Sequence, residues 1–185
     1  SEPLVTTLVF SPDNMCNTTV FEGGDIAYTV TTDASGKMPV TRVCDGEGRC
    51  VADWVWREPR SDLLTLHGIG WPQGPASAWL KKSLIPFNDS VTFQDEAGRK
   101  FVWTNTTPGP APQLHAHGSK SPPIARFQRS HPDRSSTKTP AHVSPAKLVL
   151  DARADEIRDL VLVSFLLIER RRREADVESA NRASA

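Results

Sequence analysis

A short helix that is apolar on every side is the feature that most constrains this fold. From Leu160 to Ile168 every residue except Ser164 is apolar, so no polar face remains for solvent. Acidic residues precede the stretch and four arginines follow it, as the helix dipole favours, which predicts a helix over Asp155–Arg173. The 12 residues from Ile157 to Ile168, which contain the apolar stretch, span about 18 Å, short of the roughly 30 Å of a bilayer core. The rest of the chain must therefore bury it. The residues predicted to lie buried along the helix are Ile157, Leu160, Val161, Val163, Phe165, Leu166, Leu167 and Ile168.

Residues 4–105 have the pattern of successive short strands, because apolar and polar residues alternate between turn residues. Two β-hairpins are predicted, one around Asp45-Gly46 and one around Asp95–Gly98. The Pro- and Gly-containing stretch Trp71–Trp79 is predicted to be a loop, and Leu148–Leu150 a last strand. About ten strands therefore precede the helix.

A sheet open on one face would cover only one side of such a helix, and an eight-stranded barrel is filled by its own side chains. The sequence therefore predicts a mainly β fold, a closed or nearly closed antiparallel barrel of about 10–12 strands around the helix. A single domain is expected over residues 1–178. Residues 106–146, rich in Pro, Ser and His, are predicted to be a flexible insertion, and residues 179–185 a disordered tail.

Four stretches resemble a basidiomycete fungal family of small proteins known only as a domain of unknown function, number 6593. They are Leu8–Asn14 with Asn17–Val20, Asp45–Trp56, Ile124–Phe127 and Asp155–Arg172. The order of strands followed by an apolar helix is also similar to the tubby-like barrel of tubby proteins, phospholipid scramblases and LURP-one-related proteins. That likeness implies twelve strands around a C-terminal helix. Tubby proteins bind phosphoinositides through a basic pocket, but none of its residues can be matched to this sequence, and fold alone does not carry function.

Composition and motifs argue against several function classes. The chain has 22 basic and 22 acidic residues, which disfavours a general nucleic-acid binder. No nucleophile elbow, zinc-protease motif, P-loop or dinucleotide fingerprint is present, so we expect no enzyme and no cofactor.

Cysteine and histidine spacing predicts no metal site. Cys44 and Cys50 flank a hairpin turn, where either two reduced thiols or a cross-strand disulfide would fit, and C-x5-C lacks a second ligand pair. His67, which follows an apolar strand, is interpreted as structural. His115 and His117 would need a third ligand, and they are interpreted as incidental to a polar insertion.

An excess of basic residues in the Pro-rich insertion and at the end of the helix predicts a binding function. We expect a non-enzymatic module that engages anionic lipid headgroups, with a protein-interaction module using the Pro-rich segment around Pro108–Pro112 as the alternative.

A cytoplasmic, membrane-peripheral location fits the missing signal segment. Three N-x-[ST] sequons, at Asn17, Asn88 and Asn105, leave secretion open. Expected partners are an anionic phospholipid surface or a protein, not nucleic acid. The candidate headgroup contacts are Lys120, Arg126, Arg129, Arg134, Lys138, Arg170, Arg171, Arg172 and Arg173.

Overall fold

The first part of the chain forms a meander of seven antiparallel strands. A computed structural model describes residues 5–119, 121–132 and 143–184. Consecutive strands in the meander are hydrogen-bonded neighbours, joined by turns and short loops. They are β1 (Val5–Ser11), β2 (Thr18–Glu22), β3 (Asp25–Asp33), β4 (Val40–Asp45), β5 (Cys50–Val55), β6 (Leu63–Leu66) and β7 (Trp71–Pro75).

A second meander of five strands follows one short helix, and the chain ends in a long helix. A separate two-stranded sheet, β13 with β14, lies between the second meander and the last strand. The elements are α1 (Ala76–Trp79), β8 (Lys81–Lys82), β9 (Val91–Gln94), β10 (Lys100–Thr104), β11 (Gln113–Ala116), β12 (Ala125–Gln128), β13 (His131–Pro132), β14 (Val143–Ser144), β15 (Ala146–Asp151), α2 (Ala152–Asp155) and α3 (Arg158–Ala183).

The last strand, β15, joins the two meanders into one thirteen-stranded antiparallel sheet. β15 lies between β1 and β12, and its Leu148 is in register with Leu8 on one side and Phe127 on the other. The prediction of a mainly β protein with one large antiparallel sheet and a C-terminal helix is therefore confirmed.

The two predicted hairpins are confirmed, and their turns have the same residue types at corresponding positions. In each, an Asp begins the turn, a Gly with positive φ stands three residues later, and an Arg follows. The Asp45 carboxylate accepts the backbone N–H groups of Glu47 and Arg49 and pairs with the Arg49 side chain at 2.8 Å. Because the stabilising contacts are local, the turn can be recognised in the sequence.

The core lies between α3 and the inner face of the sheet. Residues Leu160–Ile168 are all buried, and Phe165 contacts aromatic rings from three strands. Its ring centroid lies 5.6 Å from Phe10, 6.0 Å from Trp103 and 4.7 Å from Phe127. Ser164, the polar residue of the stretch, accepts the indole N–H of Trp103 at 2.9 Å and donates to the carbonyl of Val161. This apolar stretch of α3 is thus covered on all sides.

The sheet is not closed into a barrel, so the predicted closure is not shown. β7 and β8 are its two edges, and neither is hydrogen-bonded to the other. Pro72 and Pro75 in β7 have no backbone N–H to donate, which is typical of an edge strand. β8 has two residues, and α1 takes up the chain between the edges. The predicted loop Trp71–Trp79 is in fact β7 followed by α1.

Secondary structure extends into both the predicted insertion and the predicted tail. β11 to β14 lie within residues 106–146, although residues 120 and 133–142 lie outside the described part. α3 continues through the predicted tail to Ala183. Residues such as Glu178 and Arg182, paired at 3.5 Å, favour helix over disorder. Within the described ranges, no helix is both long enough and apolar enough to cross a bilayer.

Candidate functional site

The arginine run at the end of the apolar helix is largely structural, contrary to the prediction that it contacts a ligand. Arg170 is 5% exposed. Its Nη2 donates to Asp62 Oδ2 at 2.6 Å, and its guanidinium lies over the Trp56 ring, 4.2 Å from the centroid. The sequence could not show this burial, because Asp62 is supplied by a loop more than a hundred residues away.

Arg172 is buried even more completely, at 1% exposed. It donates to Glu169 Oε2 at 2.5 Å and to three backbone carbonyls, those of Thr107, Gly109 and Pro110. These contacts attach the loop between β10 and β11 to α3. Neither Arg172 nor Arg170 can reach a lipid headgroup without losing its partners, so both are removed from the set of candidate ligand contacts.

Arg173 is one-third exposed and is paired on two sides. Its Nη2 donates to Asp13 Oδ1 at 2.6 Å, and its Nε donates to Glu169 Oε1 at 3.0 Å. Burial acts to raise the pKa of Asp13, but hydrogen bonds from Ser130 and Arg173 outweigh it and hold that pKa below its ordinary value. Arg173 is therefore a tether between α3 and the loop after β1.

Arg171 differs from its neighbours. Its side chain is 39% exposed, and the carboxylate that pairs with it, Asp62, is 3.9 Å away and already bound by Arg170. Among the four arginines, it is the one whose charge is available to a ligand.

The structure describes two of the other five predicted basic contacts. Arg126 is exposed on β12, and Arg129 donates to the carbonyl of Gly109 at 2.9 Å. Lys120, Arg134 and Lys138 lie outside the described residues.

Arg171 lines a cavity that the sequence analysis did not identify. The cavity has a volume of about 250 Å³ and lies between α3 and the loop that joins β8 to β9. Leu80, Val91 and Leu167 form part of its apolar wall, while Lys82 and Arg171 supply cations. Its lining combines apolar walls with two basic side chains and the carboxylate of Asp89, which accepts hydrogen bonds from Thr107. Two cations against one anion leave it suited to part of an amphipathic anionic ligand.

The loop beside this cavity, residues 83–90, presents apolar side chains to solvent. Leu84 is 99% exposed, Ile85 67% and Phe87 108%. Phe87 has φ of 63°, a conformation that costs a bulky residue of the order of 1–3 kcal/mol. Lys81 and Lys82 precede the loop and are exposed. We call residues 81–87 the apolar tip.

The apolar tip has only a weak signal in the sequence. Leu84-Ile85-Pro86-Phe87 is an apolar run without strand alternation, between a lysine pair and Asn88-Asp89. Hydrogen bonds within the loop, from Ser83 N–H to Ser90 O and from Asn88 N–H to Ile85 O, hold it away from the core. Sequence alone could not distinguish this run from a short buried strand.

Comparison with known proteins gives a family but no function. The family model described as "Family of unknown function (DUF6593)" matches residues 13–174. No curated protein and no solved structure matches the chain. The match covers most of the sheet, the arginine run and the loop that carries the apolar tip, and on that coverage the chain belongs to the DUF6593 family of unknown function.

Proposed function

We propose that this protein is a non-enzymatic module that docks on an anionic membrane surface through the apolar tip. The observation that supports the proposal is the exposure of Leu84, Ile85 and Phe87 directly after two exposed lysines. Apolar side chains beside basic residues suit the lipid interface, where the former enter the acyl boundary and the latter meet phosphates.

The expected strength is that of reversible binding. Full burial of one large apolar side chain is worth about 1.5–3 kcal/mol, and each basic residue near an anionic surface adds about 1 kcal/mol. Three partly inserted side chains with Lys81 and Lys82 therefore give a total on the order of 6 kcal/mol. Such a module would remain attached only where anionic lipid is dense.

The cavity gives the proposal a headgroup site. At about 250 Å³ it is smaller than a typical site for a drug-sized ligand, so it suits a phosphate group and not a whole lipid. Lys82 and Arg171 line it and offer positive charge to a phosphate, while the Asp89 carboxylate, which is bound by Thr107, offsets part of that charge. The basic residues of the proposed surface are thus Lys81, Lys82 and Arg171.

Two further parts of the proposal concern the architecture and the location of the protein. The likeness to the tubby-like barrel is architectural, and it extends to a large antiparallel sheet packed around a C-terminal helix. The location we propose is the cytoplasmic face of a membrane. Asn88 lies in the loop of residues 83–90 that carries the apolar tip, so a glycan there would block the proposed contact.

Vesicle co-sedimentation tests the proposal. Protein is mixed with phosphatidylcholine vesicles, with or without phosphatidylserine, at low and physiological salt. We expect pelleting that requires phosphatidylserine and weakens with salt. Leu84→Ser/Ile85→Ser/Phe87→Ser should reduce pelleting at least tenfold, and Lys81→Ala/Lys82→Ala should also remove most of the salt dependence.

The matched control replaces two other exposed apolar residues, Ile26→Ser/Val177→Ser, and should pellet like the wild type. A variant Arg126→Ala/Arg129→Ala tests the surface predicted from the sequence. Pelleting that survives the triple serine change, or that is absent under every condition, would overturn the proposal.

The alternative, a Pro-rich peptide offered to a protein partner, has less support from the structure. Pro112 is buried, and the carbonyls of Gly109 and Pro110 already accept hydrogen bonds from Arg172. A partner would have to displace those bonds to bind the segment as an extended peptide. This alternative becomes the leading one if the vesicle experiment fails.

A further inference from the structure

Three metal-ligating side chains of the first meander, two from β5 and one from the residue after β6, lie close together. The sulfur of Cys50, a carboxylate oxygen of Asp53 and a ring nitrogen of His67 all lie within 4.8 Å of one another. In the described residues no other group of three such side chains comes as close. The cluster is separate from the apolar tip in both sequence and composition.

Pairing of β5 with β6 creates this cluster from residues that are scattered in the sequence. Asp53 is in register with Thr65 across β5 and β6. The backbone N–H of His67 donates to the carbonyl of Val51 at 2.9 Å, so the residue after β6 remains beside β5. The spacing of the ligands along the chain therefore gave no metal motif.

A second thiol adjoins the cluster. Cys44, at the end of β4, is the cross-strand partner of Cys50, next to a bulge between Val43 and Cys44. Cys16, Cys44 and Cys50 are all free thiols. Cys44 and Cys50 therefore bring two sulfur atoms to neighbouring positions on adjacent strands.

We propose that Cys44, Cys50, Asp53 and His67 form a binding site for a zinc-like divalent metal. Thiolate and imidazole ligands favour zinc over magnesium or calcium, and zinc takes four ligands in a tetrahedron. A metal bound by these four side chains would cross-link three adjacent strands, β4, β5 and β6. The role is structural, independent of membrane docking.

The observed distances need only small side-chain movements to fit a metal. Ligand atoms about 2.0–2.3 Å from zinc in a tetrahedron are roughly 3.3–3.8 Å apart. His67 Nε2 and Asp53 Oδ2 are 2.7 Å apart, a hydrogen-bond distance that must open by less than about 1 Å. The His67 side chain is 43% exposed and is free to rotate. The other separations among Cys50, Asp53 and His67, all within 4.8 Å, must close by at most about 1–1.5 Å, and the Cys44 thiol must turn toward these three ligands.

Metal loading of the reduced full chain tests the proposal. The protein is treated with dithiothreitol and a chelator, desalted, incubated with Zn²⁺ and desalted again before elemental analysis. We expect one zinc per chain and a higher melting temperature. Substitution with Co²⁺ should give a thiolate-to-cobalt charge-transfer band in the near ultraviolet.

Variants assign the ligands. Cys50→Ser should abolish the charge-transfer band, and Cys44→Ser should weaken it. His67→Ala should reduce zinc affinity at least tenfold. Cys16→Ser is the matched control, because it removes the third cysteine and leaves the cluster intact, and it should bind zinc like the wild type.

Three results would overturn the proposal. Equal zinc content in wild type and Cys50→Ser would place the metal elsewhere. A cobalt form without a thiolate band would exclude the cysteines. A reduced protein that retains no zinc, together with a Cys44–Cys50 disulfide in the unreduced protein by mass spectrometry, would make the pair a redox cross-link instead.

Discussion

Charged and polar side chains inside the protein connect α3 to loops that are distant in sequence. Arg170 pairs with Asp62, Arg172 holds the loop after β10, and Arg173 holds the loop after β1. A charge buried without its partner costs several kcal/mol, so these contacts fix where each loop meets the helix. In the sequence these arginines resemble a solvent-exposed helix end. In the structure they fix the positions of the loops.

At the other end of the helix, the single tyrosine is linked to α3 in a similar way. Tyr28 is 3% exposed, and its hydroxyl donates to Asp159 Oδ1 at 2.5 Å. Burial raises the pKa of Tyr28 far above its ordinary value, and the hydrogen bond to the Asp159 carboxylate raises it further.

Because the native state holds this proton more tightly than the unfolded chain, the stabilisation is complete below about pH 10 and is lost as the pH rises above that value. We predict that tyrosinate absorbance appears only as the far-ultraviolet circular dichroism is lost. Tyr28→Phe, the control, should fold, show no tyrosinate signal and lose stability less steeply with alkali. Tyrosinate formation near pH 10 in a fully folded protein would contradict the assigned environment.

At the scale of elements, the fold depends on α3. Leu160–Ile168 are buried on every side, and Phe165 is the centre of the aromatic contacts. The helix therefore works as the core of the sheet and not as a cover on one face.

Substitutions in α3 should distinguish its buried and exposed parts. Phe165→Ala should lower the free energy of unfolding by about 3–5 kcal/mol. Phe165→Asp should abolish cooperative folding, because an unpaired buried charge consumes most of a total stability of about 5–15 kcal/mol. Val177→Asp, at a 60% exposed position of the same helix, should change stability by less than about 0.5 kcal/mol. Urea denaturation followed by tryptophan fluorescence measures all three, and a wild-type transition for Phe165→Asp would show that the helix is not the core.

The sequence predicted the elements that depend on local contacts. The apolar helix and the hairpins at Asp45 and Asp95 were predicted because their own residues specify them. The burial of Arg170, the exposure of Phe87 and the meeting of Cys50 with His67 were not predicted. Each depends on which strands become neighbours, and that information is not present in any one segment.

At the scale of the whole molecule, two meanders are held together by one strand. β15 pairs with β1 through six residue pairs and with β12 through four. The chain between the meanders, from β7 to β8, contributes no pairing between the sheet edges. The two meanders are therefore held together by β15 and not by the chain that links β7 to β8.

We predict that a cut in residues 83–90, between β8 and β9, leaves the protein assembled, because β1 still pairs with β15 and β8 with β9 across the cut. Chymotrypsin should cleave first after Phe87, which is fully exposed. The two fragments should co-elute on gel filtration and retain the circular dichroism of the intact chain. Phosphatidylserine vesicles should slow the cleavage if the apolar tip docks on them, and fragments that separate without denaturant would contradict the assigned topology.

The late position of β15 and α3 has a consequence for synthesis of the protein in the cell. Val5 pairs with Asp151, and the inner face of the sheet is covered by residues 160–168. At a translation rate of about 5–20 residues per second, the first strand waits roughly 7–30 s for its partner. During that interval the nascent strands present an uncovered apolar face outside the ribosome. Elongation rate and chaperones that shield nascent chains, more than the stability of the finished fold, should therefore determine how much protein escapes aggregation.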